Sequence, residues 1–533
     1  MKPAGDALPT VRHDPLLIAP LTRAVDARMR VPGSKSLSNR HLVLAALADA
    51  PTRLVGLLAC DDCDRLLAAL AELGVAHQRE SHANSNANGD ANGNANGNAN
   101  SNANGDVVIL TPPPRAASEL VARREARVNL GDGGTPTRFM LALAAAQHDG
   151  WCDIDGSARM RERPIAEGVD MLRTLGARVE YLEAEGRLPV RVFGRSTRDG
   201  HSDGLNDGLR GGKLRGGKLR VGRTASSQFV SALMLVAPTL PEGLEIEFVE
   251  EPTSATYIQL SLGALQAAGV DAEVAYRSVE ASSPDTGLAS IRIRPQTIRG
   301  GTVDIEPDAS SAVYPAALAA ISGGEVVLEG LPRRSLQPDA LFFDDLALRG
   351  ARIEETPSGV RVRGRRDGRA PSKLRGLDSD YARAPDAAVM AMVLAAVCDT
   401  PSRITGLGTL RVKESDRIDA VAKGLRALGG VVETGHDWVR VHPLPPIPAA
   451  VAHQTTILGD AGGASDESAR ASGVGTVIDT VNDHRIAMAF AVLGLVRPGI
   501  AIANPRCVEK SWPRYWETLD LLRGAVPREN GPR

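Results

Sequence analysis

The sequence predicts an α/β protein assembled from repeated units, and three observations predict it. An amphipathic helix ending in Gly and followed by strand-like residues recurs six times: LLAALAELGV to Gly74, MLRTLGARVEY to Gly176, LGALQAAGVDAEV to Gly269, LFFDDLALRGARIEE to Gly350, GLRALGGVVE to Gly429 and TLDLLRGAV to Gly524. A second kind of helix, short, Ala-rich and apolar nearly all round, alternates with it at Ser38–Ala48, Thr135–Gln147, Ser227–Ala237, Ser310–Ile321, Asp386–Val397 and Asp483–Val496. Each of these opens on a polar or Gly-rich cluster: PGSKS, LGDGGT, TASSQF, PDASS, APDAA and VNDHR.

Each element has a physical reason. Gly just past a helix takes the left-handed conformation cheaply, and the Val/Ile/Tyr run after it suits a strand. A helix apolar on every side belongs in a core. At roughly 150 residues per domain, 533 residues would make three or four domains. Six smaller units, each with one buried and one amphipathic helix among strands, do not fit that count, and a repeat architecture does. Three low-complexity stretches, Ser81–Asp106, Asp203–Arg220 (with a tandem GGKLR) and His453–Gly475, read as insertions. They hold too little apolar surface to offset ordering, so disordered or flexible surface loops are expected.

Composition excludes several function classes. A formal net charge of −2 gives no bulk field for nucleic acid or anionic membrane, and 3% aromatics disfavours base-stacking platforms. The longest apolar runs fall well short of the roughly 18 residues that a membrane span needs. No signal pattern opens the chain, and five scattered cysteines suit a reducing compartment, so a cytoplasmic protein is expected.

The polar clusters carry the chemistry. Helix N-termini present free N–H groups and the positive end of the dipole, which suit phosphate and carboxylate. Ser, Thr and Asp at these places are also ordinary N-caps. PGSKSLSNR puts Lys35, Ser36 and Arg40 at a helix start but lacks the first Gly of a P-loop. LGDGGTPTR (130–138) places glycines before a helix with Arg138 in its first turn. RMRERPI (159–165) is either a binding turn or a solvated charge run. RVKESDR (411–417) puts Lys413 and Arg417 on one face if helical, beside Glu414, or else forms a helical ion-pair ladder. VNDHR adds His484 and Arg485, and CVEKSWP adds Lys510. Cys60 and Cys63, a single pair without a second ligand pair, read as structural thiols rather than a zinc site.

Together PGSKSLSNR, LGDGGTPTR, RERPI, SSQF, PDAA, RVKESDR, NDHR and CVEKSWP occur in the order found in the EPSP synthase (3-phosphoshikimate 1-carboxyvinyltransferase) family, from about Leu17 to Arg523. The resemblance implies a two-domain inside-out α/β barrel with six βαβαββ units, three per domain. It implies one discontinuous enolpyruvyl transferase domain at 1–31 plus 307–533 and a second at 32–306. It implies transfer of the enolpyruvyl group of phosphoenolpyruvate to the 5-hydroxyl of shikimate 3-phosphate with release of phosphate, by addition and elimination through a tetrahedral intermediate. These are the shikimate pathway and aromatic amino-acid biosynthesis, with glyphosate as an inhibitor.

Residue by residue, the resemblance makes Asp386 the base and Glu414 the acid. Lys35, Ser36, Arg40, Ser226, Ser227, Gln228, Ser254, Tyr257, Asp386, Thr409 and Lys413 become shikimate 3-phosphate contacts. Lys35, Asp132, Gly134, Arg163, Gln228, Arg417, Arg485 and Lys510 become phosphoenolpyruvate contacts. Asp132 and Thr409 stand where the family often has Asn, and Pro136 and Thr137 replace its usual residues beside Gly134. Two anionic substrates side by side need lysines, arginines and helix N-termini to offset their repulsion, and two carboxyl groups in different environments can divide the proton transfers. Neither metal nor organic cofactor is expected, the partners are the two small substrates with no nucleic acid and no membrane, and a monomer is expected. The UDP-N-acetylglucosamine enolpyruvyl transferase shares fold and donor, but would lack the Ser-Ser-Gln motif and use a loop cysteine. A non-catalytic anion-binding relative would have no need to retain both Asp386 and Glu414.

Overall fold

The computed structural model describes residues 14–80, 106–113, 125–147, 150–194, 214–224, 226–277, 287–368, 370–446 and 475–524. The chain divides into two compact units, Met1–Val31 with Asp308–Arg533, and Pro32–Pro307. Each has its own apolar core.

One four-stranded pattern runs through both units. In the second unit the parallel pair Glu125–Asn129 and Trp151–Asp155 is joined by the buried helix Gly134–Gln147. The amphipathic helix Ala166–Thr174 then leads to the hairpin Arg178–Tyr181 and Val190–Phe193, whose second strand pairs antiparallel with Trp151–Asp155. A parallel pair needs a crossover and an antiparallel pair only a turn, which is why the helix falls where it does. The sheets around Leu244–Phe248 and, in the first unit, Ser402–Thr405 repeat this arrangement. Those around Thr52–Leu57 and Glu325–Glu329 have the same strand order, but their parallel partners, Gly301–Asp304 and Asp26–Met29, come from distant parts of the chain. The parallel pair Thr476–Ile478 and Ile500–Ile502 flanks helix His484–Val496 and is completed by Leu16–Leu17.

The apolar helices fill the cores. Ile486–Leu493 of helix His484–Val496 are all at most 1% exposed, and each large apolar side chain so buried stabilises by ~1.5–3 kcal/mol. The amphipathic helices close on them, and glycines set how closely. A Cβ on Gly424 would lie 2.5 Å from Phe490 Cζ, and one on Gly168 2.2 Å from Phe229 Cδ1. Gly74, Gly176, Gly269, Gly350, Gly429 and Gly524 all have φ between 75° and 112°, the left-handed stop expected after each amphipathic helix.

The three insertions lie largely outside the described residues, at 81–105, 203–213 and 453–474. Where residues of the expected loops are described, two corrections follow. The second GGKLR copy is a strand, Gly217–Val221, paired parallel with Leu244–Phe248. Its alternation explains this, since Leu219 and Val221 face the core while Lys218 and Arg220 face out. Asp106 likewise opens the strand Asp106–Thr111. Among the described residues no helix is long and apolar enough to cross a membrane.

Candidate active site

The second unit holds one group of the expected site residues. Helix Lys35–Leu47 is capped by Ser34, whose hydroxyl accepts the Leu37 N–H at 3.4 Å, so the cap precedes Lys35 and Ser36. Lys35 Nζ stands 3.3 Å from Asp62. Arg40 is buried, 2% exposed, and among the described residues it meets no carboxylate. Its guanidinium donates to Ser261 Oγ at 2.8 Å, to the Ser36 carbonyl at 2.9 Å, to the Tyr257 carbonyl at 3.0 Å and to Ser231 Oγ at 3.4 Å. Burial draws its pKa down to about 10, with Tyr257 opposing. Such a cation in neutral surroundings retains its attraction for an anion. Its neighbour His41 is pushed down to about 4 by burial and then by Arg40.

Ser226 caps helix Ser227–Val236, accepting the Gln228 N–H at 3.3 Å. Gln228 ties this helix to Gly134–Gln147, donating to Thr135 Oγ1 at 2.8 Å and accepting from Arg138 at 3.0 Å. Ser254 caps Ala255–Ala267 in the left-handed region at φ 51°, a conformation that costs a non-Gly residue and often marks a site.

The charge run at 159–163 splits cleanly. Arg159 pairs with Glu162 at 2.6 Å, and Arg161 with Asp155 at 2.6 Å and Glu183 at 3.0 Å, which is the solvated reading. Arg163 is in no ion pair among the described residues and lies over Gly134, where an added Cβ would sit 2.6 Å from its Nη1 and 2.9 Å from Arg138 Nη1. Gly134 thus leaves the room in which two guanidinium groups converge. Asp132 does not extend this positive surface, because its carboxylate accepts the Ser157 hydroxyl.

The first unit holds the other group. Lys413 and Arg417 are not on one helix face. Lys413 follows the 3₁₀ turn Gly408–Val412, and Asp416 caps the helix that starts at Arg417, accepting the Asp419 N–H at 3.1 Å. Asp416 outcompetes helix continuation by offering the backbone a cap. Both cations still reach Asp386, Lys413 at 3.7 Å and Arg417 at 2.9 Å.

Arg417, 1% exposed, organises this cluster. Nη1 donates to Asp386, Nη2 to Glu414 at 3.0 Å and Nε to Asp483 at 2.8 Å. Asp386 also accepts from Arg485 at 3.1 Å, and Lys510 reaches Glu414 at 3.4 Å. Burial alone would push the Asp386 carboxyl up, but Arg485, Lys413 and Arg417 hold it well below the usual range. Thr409 Oγ1 is buried without a hydrogen-bond partner among the described residues.

Three residues that the sequence does not mark as substrate contacts join these two groups. Asp483, 0% exposed, accepts from Arg417, from Ser415 at 3.1 Å and from the Arg485 N–H at 2.9 Å. Arg138 joins Gln228 to the Gly134 carbonyl. Both lie inside motifs the sequence exposes, NDHR and LGDGGTPTR. Asp339, 1% exposed, accepts the Ala387 N–H at 3.0 Å, and no motif marks it. Cys60 and Cys63 are buried and unbridged, with the Cys63 thiol raised by its hydrogen bond to Cys60 and by burial. Among the described residues no group of three or more His, Cys, Asp or Glu is placed to hold a metal.

The fold is that of the enolpyruvyl transferases. An EPSP synthase from Acinetobacter baumannii superposes with a TM-score of 0.66 at 23% identity, covering 96% of this chain and 98% of that one. The enolpyruvyl transferase NikO from Streptomyces tendae superposes at 0.62 with 16% identity, covering 96% and 97%. At the level of sequence, the family model EPSP synthase (3-phosphoshikimate 1-carboxyvinyltransferase) matches residues 21–519, and the chain belongs to that family. Relatives named 3-phosphoshikimate 1-carboxyvinyltransferase include those of Bordetella pertussis, 34% identical over 95% of this chain and 98% of its own, and Haemophilus ducreyi, 31% identical over 94% and 97%.

Proposed function

We propose that the chain transfers the enolpyruvyl group of phosphoenolpyruvate to the 5-hydroxyl of shikimate 3-phosphate and releases phosphate. Membership of the family supports the reaction. The observation that carries the residue roles is the single Arg417 guanidinium joined to both Asp386 and Glu414.

In this reading Lys35, Ser36, Arg40, Ser226, Ser227, Gln228, Ser254, Tyr257, Asp386, Thr409 and Lys413 are the shikimate 3-phosphate contacts. Lys35, Gly134, Arg163, Gln228, Arg417, Arg485 and Lys510 receive phosphoenolpyruvate. Asp132, turned to Ser157, serves the loop rather than the donor. Asp386 takes the hydroxyl proton as the oxygen attacks C2 of phosphoenolpyruvate, and Glu414 delivers a proton to C3. Loss of a proton from the methyl group so formed and of phosphate then completes the transfer. A carboxylate held as low as Asp386 is a poor base. Substrate anions set against Arg485, Arg417 and Lys413 draw on the same cations, so the bound substrates raise its proton affinity.

The two units are the two domains of the transferase. The strand–helix–strand–helix–hairpin arrangement supports six βαβαββ units in an inside-out barrel pattern, the last formed with the N-terminal strand. The protein acts as a cytoplasmic monomer.

The test is phosphate release from phosphoenolpyruvate with purified protein. The expected result is release that requires shikimate 3-phosphate. Release with UDP-N-acetylglucosamine in its place, or no release with either acceptor, overturns the reading.

A further inference from the structure

Asp339 lies in the short 3₁₀ turn Pro338–Ala340 of the first unit and is 1% exposed. One carboxylate oxygen accepts the backbone N–H of Ala387 at 3.0 Å, the peptide that immediately follows Asp386. The other accepts the hydroxyl of Ser310, in the first turn of helix Ala309–Ser322. No lysine or arginine forms an ion pair with it among the described residues. The charged and titratable groups that act on it are Asp386 from the stretch before helix Ala388–Ala395, Arg485 from helix His484–Val496 and Asp308 at the start of Ala309–Ser322. Tyr381 interacts with it as well.

A carboxylate that is buried, without an ion-pair partner among the described residues and held by one peptide N–H and one hydroxyl is costly to keep. It holds the residue next to the group that must accept a proton, and it shares Arg485 with that group. We propose that Asp339 is a positioning residue for Asp386, clamping the peptide after it and supplying a negative charge that offsets Arg485 as Asp386 takes its proton. The proposal rests on Asp386 being the proton acceptor.

The physical consequence is a pH dependence. Burial, and next the charge of Asp386, push Asp339 up to about 6. Above that pH the ionised Asp339 raises the proton affinity of Asp386 and turnover is fast. Below it Asp339 is neutral, Asp386 is left to its cations, and turnover falls. The Ser310 hydrogen bond favours the ionised form and holds the transition lower than it would otherwise lie.

The experiment is the pH profile of kcat, with both substrates saturating, for the wild type, Asp339→Asn, Ser310→Ala and Asp386→Asn. Asp339→Asn keeps an oxygen for the Ala387 N–H but has no charge. It is expected to lower kcat about tenfold at pH 8, leave both KM values within about threefold, and lose the acidic limb near pH 6. Ser310→Ala, which removes the hydroxyl that donates to Asp339, is expected to move that limb up by about one pH unit. A wild-type-like profile in Asp339→Asn, or an unmoved limb in Ser310→Ala, overturns the proposal. Should Asp339→Asn not fold, the Ser310→Ala profile decides alone. Asp386→Asn separates the two layers. Full activity in it removes the acceptor role itself, whereas inactivity in it beside a wild-type-like Asp339→Asn removes only the inference about Asp339.

Discussion

Arg417 in the first unit touches three carboxylates, whereas Arg40 in the second touches none among the described residues. Both are buried. The first is embedded in a network in which Asp386, Glu414 and Asp483 are matched by Arg417, Arg485, Lys413 and Lys510. The second donates to neutral oxygens, and neither it nor Arg163 is in an ion pair among the described residues. A network of interleaved carboxylates and cations can move protons without a large change in field. A set of cations with no carboxylate partner cannot do that, but it attracts anions strongly. The difference teaches that the near-zero net charge of the chain, −2, hides two kinds of polar cluster.

The largest effect that tests this contrast is on turnover. Glu414→Gln is expected to cut kcat by about a thousandfold, in the range of general acid catalysis, with KM values within about threefold. Equal loss of turnover and binding, by steady-state kinetics and titration calorimetry, would make Glu414 part of the anion-holding kind instead.

Stability separates the two kinds next. Asp483→Ala takes from Arg417 the most buried of its three carboxylates, leaves Ser415 and the Arg485 N–H without their acceptor, and is expected to cost about 3–5 kcal/mol in urea unfolding. Arg40→Met removes a buried cation that has no counter-charge and is expected to change stability by less than about 1 kcal/mol, while raising KM for shikimate 3-phosphate about tenfold or more. Similar destabilisation by both changes would erase the comparison.

His41 gives a pH test confined to the second unit. Its folded pKa, about 4, lies below the ordinary 6.5, so the unfolded chain binds the proton more readily. Stability from this group is therefore full above about pH 6.5 and falls as pH drops towards 4, by about 3 kcal/mol in all. His41→Leu should flatten the unfolding free energy across that window, and an unchanged slope counts against a buried neutral His41.

The smallest expected effect is at Gly134. Gly134→Ala presses a methyl group on Arg163 and Arg138 and is expected to raise KM for phosphoenolpyruvate severalfold. Glyphosate should compete with phosphoenolpyruvate in the wild type and compete less well in the variant. Inhibition kinetics showing no effect at millimolar glyphosate in the wild type ends that expectation.

Helix positions were the most legible part of the fold. Buried helices have no polar face to misplace, and a Gly stop needs a left-handed residue whatever surrounds it. The second GGKLR was not legible as a strand, because its partner Leu244–Phe248 is distant in sequence and a repeat of glycines and lysines looks like a loop. The spacing of Lys413 and Arg417 puts them on one face only of a continuous helix, whereas a cap at Asp416 starts the helix after Lys413 and both still reach Asp386. The surroundings of Arg40 were hidden because its acceptors, Ser231, Tyr257 and Ser261, lie on two other helices. Asp339 was hidden for the same kind of reason, its partner Ala387 being 48 residues away.

The pairing of Asp26–Met29 with Glu325–Glu329 has a consequence for biosynthesis. Met29 leaves the ribosome long before Leu328, its partner in the register. At about 5–20 residues per second the wait is roughly 15–60 s. All the strands of the unit Pro32–Pro307 are complete before that partner exists. The nascent chain therefore carries a short strand with an unpaired edge through the entire synthesis of the other unit, the interval in which chaperone protection matters most.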